Sequence, residues 1–197
     1  MRIGIDISQT AFKNTGVSNY LSNLVINLLN KDTKNDYVLF FSSFRSSINP
    51  ELRLNLKDIM EKNKNVKLKK FLFPPALLNL LWNRLHMLPI ESFTGPLDLF
   101  ITSDWTEPLA KKARKASILY DLIVYKYPEE THNKTEFNLK SFLISPNIVD
   151  SQIRKHKWMK EEASIIFCIS ESTKKDAIEI LKIPEDKLFV IYPGINL

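Results

Sequence analysis

Apolar, β-branched runs recur along the chain at Arg2–Ile7, Tyr37–Phe41, Val66–Phe71, Leu97–Ile101, Ser117–Leu122, Ser164–Ile169 and Leu188–Ile191. Their length and composition fit strands buried on both faces. Between them, apolar residues return at helical spacing. Val17–Leu29 places Tyr20, Leu21, Leu24, Val25 and Leu28 on one face and Asn19, Asn23 and Asn27 on another, predicting an amphipathic helix that ends near Asn30-Lys31-Asp32. Ser170 is placed to cap a helix carrying Ala177, Ile178 and Leu181, which Pro184 closes. Strands alternating with helices predict an α/β domain, doubly wound, with helices on both faces of a mostly parallel sheet.

The middle is less regular. Leu77–Leu88, between Pro74-Pro75 and Pro89, reads as a short helix that is apolar nearly all round, with Trp82 inside it. Such a helix is buried in a core or lies at a membrane surface with Arg84 and His86 toward the headgroups. Thr135–Glu162 reads as helix in two pieces interrupted at Ser145-Pro146. Lys187–Tyr192 reads as a closing strand, and Pro193-Gly194-Ile195-Asn196-Leu197 as the start of a turn at a domain boundary.

Composition narrows the chemistry. The 197 residues, 44% hydrophobic and 25% charged, suit one soluble globular domain. One cysteine, Cys168, excludes an intrachain disulfide, and three scattered histidines offer no zinc-ligand spacing, so neither a metal nor a cofactor is expected. A reduced, cytoplasmic setting fits best. Asp6 falls where a signal peptide needs an apolar run, and no apolar stretch is long enough to span a bilayer. Only four glycines occur, and they do not cluster, which makes the dinucleotide turn and the P-loop poor readings.

Ligands of doubly wound sheets bind beyond the carboxyl ends of the strands, which directs attention to four loops. After the first strand, Thr15-Gly16-Val17 opens a helix whose free amides suit a phosphate, although a plain cap has the same residues. After the fourth, Ser103-Asp104-Trp105 and Glu107 combine acids with an aromatic, a composition for gripping sugar hydroxyls that also suits a solvated loop. The fifth ends in Tyr120-Asp121, where a carboxylate can cap a helix or orient a substrate hydroxyl. Ser170-Glu171 after the sixth starts a helix, which is a plain cap or part of the cleft.

Taken in order, several segments resemble the N-terminal domain of the retaining, nucleotide-sugar-dependent glycosyltransferases of family 4, which have the two-domain GT-B architecture. They are Met1-Arg2-Ile3-Gly4-Ile5-Asp6, Thr15-Gly16-Val17-Ser18-Asn19-Tyr20-Leu21, Leu97-Asp98-Leu99-Phe100 with Ser103-Asp104 and Pro108, Tyr120-Asp121-Leu122-Ile123 through Tyr127-Pro128-Glu129, and Ile169-Ser170-Glu171-Ser172-Thr173-Lys174-Lys175-Asp176. Ile183-Pro184-Glu185-Asp186-Lys187-Leu188 and Val190-Ile191-Tyr192-Pro193-Gly194-Ile195 resemble the approach to that family's interdomain linker. The resemblance implies a single Rossmann-like domain over residues 1–197, holding a glycan or lipid-linked acceptor. It assigns Tyr120 and Asp121 to catalysis, Thr15, Gly16 and Val17 to the donor phosphate, and Ser103, Asp104, Trp105 and Glu107 to the acceptor, with Ser170 and Glu171 at the cleft. The resemblance implies that the nucleotide-sugar donor is gripped mainly by a C-terminal domain outside this sequence, linked or separate. Where the family usually has histidine-aspartate, this chain has Tyr120-Asp121. Tyrosine is a weak base at neutral pH but donates a hydrogen bond, and a donor phosphate oxygen can take the acceptor proton. A non-catalytic partner subunit is the alternative.

Charge adds a further expectation. Lysine and arginine exceed aspartate and glutamate by six, and basic residues cluster at Lys62, Lys64, Lys67, Lys69 and Lys70, at Lys111, Lys112, Arg114 and Lys115, and at Arg154, Lys155, Lys157 and Lys160. These are solvated faces or a docking surface for an anionic membrane, with the protein peripheral on the inner face. Few arginines and no interleaved aromatics argue against specific nucleic-acid readout, leaving a basic nucleic-acid-binding module as an outsider.

Overall fold

A computed structural model describes residues 1–131 and 148–194. Seven strands, β1 (Arg2–Asp6), β2 (Asp36–Ser42), β3 (Val66–Phe71), β4 (Leu99–Thr102), β5 (Arg114–Leu119), β6 (Ala163–Cys168) and β7 (Leu188–Val190), form one sheet in the order β3-β2-β1-β4-β5-β6-β7. Every neighbouring pair is parallel, so the sheet is wholly rather than mostly parallel. The helices are α1 (Gly16–Lys31), α2 (Pro50–Lys62), α3 (Pro75–Leu78), α4 (Glu91–Thr94), α5 (Ile123–Lys126), α6 (Pro128–Thr131), α7 (Ile148–Glu162) and α8 (Glu171–Glu179). The fold is Rossmann-like and doubly wound, with the reversal of strand order between β1 and β4.

Strand alternation separates two faces. Ile3, Ile5 and Ile7 of the first strand segment, with Tyr37, Leu39 and Phe41, pack under Leu21 and Val25 of α1 and Leu52, Leu56 and Ile59 of α2. On the other face, Val38, Phe40 and Phe100 pack with Trp82, Ile90 and Leu97. A third cluster gathers Ile166 and Cys168 of β6 with Met159 of α7 and Ala177 of α8. Burial holds the Cys168 thiol protonated, with its pKa pushed up to about 11.

Two segments differ from their predicted form. The strand expected at Ser117–Leu122 runs from Arg114 to Leu119, because Lys115 is buried through ion pairs and not through hydrophobicity. The helix expected over Leu77–Leu88 is α3 continued by a π-helical turn at Asn79–Arg84, in which the Leu85 amide donates to the Leu80 carbonyl at 2.9 Å. It faces the core: Trp82 is fully buried, its indole N–H donating to the Leu88 carbonyl at 2.9 Å. His86 and Leu88 then take positive φ and end it before Pro89. Residues 148–162 of the segment expected to be helical form α7, whereas the Ser145-Pro146 break lies outside the described residues. No helix among the described residues is long and apolar enough to cross a membrane, and none of them form a cluster that could hold a metal ion.

Gly4 is the tightest position in β1. A Cβ there would lie 2.6 Å from both Leu97 Cδ1 and Phe100 Cδ2. The terminal methyl of Leu97 can turn away, but the buried Phe100 ring cannot. We therefore expect Gly4→Ala to lower stability by about 1–3 kcal/mol, the usual cost of overpacking a filled core. A urea unfolding midpoint equal to that of the unaltered protein would show that the ring has room to shift.

Candidate functional site

At the carboxyl ends of β1, β5 and β6 lies a groove of about 960 Å³. It is lined by Thr15, Gly16 and Val17 at the start of α1, by the polar stripe Asn19, Asn23 and Asn27, by Tyr20, and by Tyr120 and Asp121 after β5. Its far wall is Ile191 to Gly194 after β7. The Tyr20 hydroxyl donates to the Ile191 carbonyl at 3.3 Å, and the Ile191 amide donates to the Cys168 carbonyl at 2.9 Å, fastening that wall to α1 and β6. The structure thus brings the proposed phosphate loop and the proposed catalytic pair together.

The start of α1 is built as a cap that leaves donors free. Thr15 Oγ1 accepts from the Ser18 amide at 3.2 Å and its carbonyl accepts from the Asn19 amide at 3.0 Å. Neither bond uses the amides of Gly16 or Val17, the first two helical donors, and beyond its chain neighbours and the adjacent helix backbone no atom lies within 4 Å of the position a Gly16 Cβ would occupy. Gly16 therefore stands open to the groove at the positive end of a sixteen-residue helix.

Tyr120 is buried, ringed by Tyr20 edge-on at 5.6 Å between centroids, and its hydroxyl meets Ser103 Oγ at 3.4 Å. Burial, with the charges of Asp104 and Asp6 adding to it, raises the phenol well above its ordinary value even though the Ser103 contact works the other way. At neutral pH the group is a hydrogen-bond donor and not a base. Asp121 is exposed, and one of its oxygens accepts from the Ile123 amide at 3.1 Å.

The other predicted residues take different places. Ser103 is buried behind Tyr120. Asp104 and Trp105 are half-buried outside the groove lining; the Trp105 ring stacks on the exposed Phe12 at 6.1 Å, bridging the loops after β1 and β4. Gln152 of α7 donates to the Asp104 carbonyl at 3.2 Å, and burial raises the Asp104 carboxyl. Glu107, expected at the acceptor, is instead completely buried: Lys115 Nζ lies 2.9 Å from Oε1, Ser117 Oγ donates to Oε1 at 2.9 Å, and Thr102 Oγ1 donates to Oε2 at 2.8 Å. Both its oxygens are taken, so it is an anchor of the loop and has no face toward a ligand. Ser170 caps α8 by accepting from the Thr173 amide at 3.1 Å, and Thr173 Oγ1 donates to the Tyr120 carbonyl at 3.0 Å. Ser170 thus acts on the groove only through Tyr120, while Glu171 is exposed and does not line it.

Two charged groups below the loops carry no chemical signature in the sequence. Asp6 ends β1 almost completely buried, accepting from the Ser8 amide at 2.9 Å. Lys155 of α7 is buried with its ammonium 3.4 Å from the Ile118 carbonyl. Burial lowers its pKa, opposed by the nearby Glu107 and Asp104. Only the strand-end position of Asp6 could have drawn attention to it; Lys155 reads as one more cation on a solvated helix.

No protein-family model matches the chain, and no curated protein is significantly similar to it.

Burial raises the Asp6 carboxyl from 3.8 to about 6, against hydrogen bonds from Ser8 that lower it. The folded state therefore holds the proton more tightly than the unfolded chain. Both states are protonated only well below the ordinary value of 3.8; the penalty on the charge begins near there, grows as pH rises toward 6 and is complete above it, at about 3 kcal/mol. Asp6→Asn keeps an acceptor for the Ser8 amide without the charge. We expect it to raise stability at pH 7.5 by about 1–3 kcal/mol and to leave stability at pH 4 nearly unchanged. Urea unfolding at the two pH values measures the difference, and a gain of equal size at both would mean that the charge is not its source.

Proposed function

We propose that this domain is the acceptor-side half of a retaining, nucleotide-sugar-dependent glycosyltransferase that moves a sugar onto a glycan or lipid-linked acceptor. The observation that carries the reading is the convergence of the open Gly16–Val17 amides with Tyr120 and Asp121 on one groove at the carboxyl ends of a parallel sheet. The ordered resemblance to family 4 sequences supports it. In this reading a donor-side domain, linked or separate, holds the nucleoside, and the diphosphate reaches the start of α1. The acceptor oxygen bonds to the anomeric carbon, the bond from that carbon to the diphosphate oxygen breaks, and the acceptor proton passes to the departing diphosphate. The protonated Tyr120 hydroxyl supplies a hydrogen bond at the reacting sugar, and Asp121 orients a hydroxyl. A non-catalytic partner subunit is the second reading, favoured by the same buried phenol where the family usually has histidine.

The test is initial-rate transfer by the chain together with its donor-side half. Gly16→Val fills space that is open in the free protein, so the fold tolerates it while a phosphate does not. Gly16→Val and Asp121→Ala are each expected to lower turnover about a hundredfold or more, with circular dichroism unchanged, and Tyr120→His to be tolerated. Near-normal rates for the first two would remove this groove from the reaction. The isolated chain should show no micromolar affinity for nucleotide-sugars by calorimetry; finding one would move the donor to this half.

We also propose peripheral contact with an anionic membrane. Leu85, Met87 and Leu88 are exposed on the turn after the π-helix, and Lys111, Lys112 and Lys157 are exposed cations of the basic clusters. Lys115 and Lys155, expected in those clusters, are buried and do not contribute. Vesicles containing phosphatidylglycerol should co-sediment the protein and release it as salt rises past about 0.3 M, where the Debye length falls to several ångström. Equal sedimentation with neutral vesicles, or none with anionic ones, would sink this contact.

A further inference from the structure

β3 forms one edge of the sheet, and no strand lies beyond it among the described residues. The Tyr37 amide donates to the Asn65 carbonyl at 2.7 Å and the Ser43 amide to the Phe71 carbonyl at 3.2 Å. In a parallel ladder alternate residues face the same neighbour, so residues 65, 67, 69 and 71 turn their backbone groups toward β2. Leu68 and Lys70, between them, turn their N–H and C=O groups outward.

The same two residues line a groove of about 790 Å³ between β3 and α2. Leu54, Met60 and Leu68 supply apolar surface, with Leu54 68% exposed. Arg53, Lys57, Lys64 and Lys70 surround it against a single acid, Glu61. An open edge is a template for a further strand, and side chains of an added strand alternate between the two faces of the sheet. Every second residue of a strand laid on β3 therefore falls on the side of this groove.

The charges select the occupant. Lysines on an edge repel the same edge of a second copy, and the chain's net charge of +6 adds to that repulsion. An acidic segment is attracted by the same lysines. We propose that the β3 edge and the groove beside α2 bind an extended acidic segment of a partner protein, with apolar residues at alternate positions, by strand addition. Apolar residues at alternate positions enter the groove between its cations, the acidic residues between them face the side of Lys67 and Lys69, and the outward groups of Leu68 and Lys70 supply the backbone bonds. This interaction is independent of glycosyl transfer, since the edge and the groove of Tyr120 share no residue.

The probe is a fluorescein-labelled peptide of alternating glutamate and valine, titrated by anisotropy at low salt into the whole chain. We expect saturable binding, amide shifts at Leu68 and Lys70, and weakening by about tenfold or more with Lys67→Glu/Lys70→Glu, a pair of exposed positions on the two faces of the edge that leaves the fold intact. N-methylation of alternate peptide amides should weaken it as strongly, because it removes the donors that pair with β3. Absence of binding, equal binding by the N-methylated peptide, or equal binding by a glutamate-serine peptide would overturn the proposal. Displacement of the peptide by phosphatidylglycerol vesicles, with the same residues shifting, would reassign the surface to lipid. Self-association abolished by Lys70→Glu would reassign it to a second copy.

Discussion

The ion pair between Lys115 and Glu107 is the constraint on which the carboxyl end of the sheet depends. Both residues are almost or completely buried, and removing two charges from water costs several kcal/mol each unless each finds partners. They find them fully. Glu107 takes Lys115, Ser117 and Thr102, while Lys115 also reaches Glu162 at 2.8 Å, and Glu162 accepts His86. The Glu107 amide donates to Asn83 Oδ1 at 2.9 Å, and Asn83 Nδ2 donates to the Trp105 carbonyl at 2.8 Å. One buried network therefore joins the loop after β4, the start of β5, the π-helix and the end of α7. The π-helical turn is part of that network: it carries Trp82 and Asn83, both buried.

With that loop held, the groove is positioned by backbone anchors more than by side chains at its rim. Ser103 follows β4 directly and lies behind the Tyr120 hydroxyl, and Thr173 of α8 holds the Tyr120 carbonyl. Tyr20 reaches from α1 to the wall after β7 and packs edge-on against Tyr120. Tyr120 is thus fixed from β4, α8 and α1 at once, which is what a residue must be if it is to direct a single hydrogen bond. Asp121, one position later, is exposed and free to meet a ligand. Tyr120 is thus packed from behind, while Asp121 stands at the open rim.

How much of this was legible depended on whether burial followed hydrophobicity. All seven strands were: the inner ones because both faces of a parallel sheet are covered and its strands read as continuous apolar runs, the edge strand β3 although three of its six residues are lysine. The convergence of Gly16 with Tyr120-Asp121 was also legible, since strand ends in a doubly wound sheet gather on one side. Lys115, Lys155 and Glu107 were not. Pattern assigns charged residues to solvent, and a buried charge is explained by a partner distant in sequence: Glu162 is far along the chain from Lys115, and Asn83 precedes Glu107 by an entire connection. The start of β5 was misplaced for the same reason. The β3 edge lay hidden too, because strand order is not a property of any one strand.

Charge burial also shapes what the groove can accept. Glu107 acts on Asp6, and Asp6 and Asp104 both act on Tyr120, so these acids by themselves would repel the diphosphate of the proposed function. Lys155, buried at the Ile118 carbonyl near Asp104, Asp121 and Glu107, opposes their field, and a charge in a low-dielectric interior is screened less than one at the surface. Lys115 answers Glu107 directly. The two buried lysines therefore leave the amides of Gly16 and Val17 as the attractive feature an anion meets from the groove, with Lys31 as the cation in its lining. A helix terminus is a weak attractor alone. In the proposed function the buried lysines strengthen it by opposing the charges of Glu107 and Asp104.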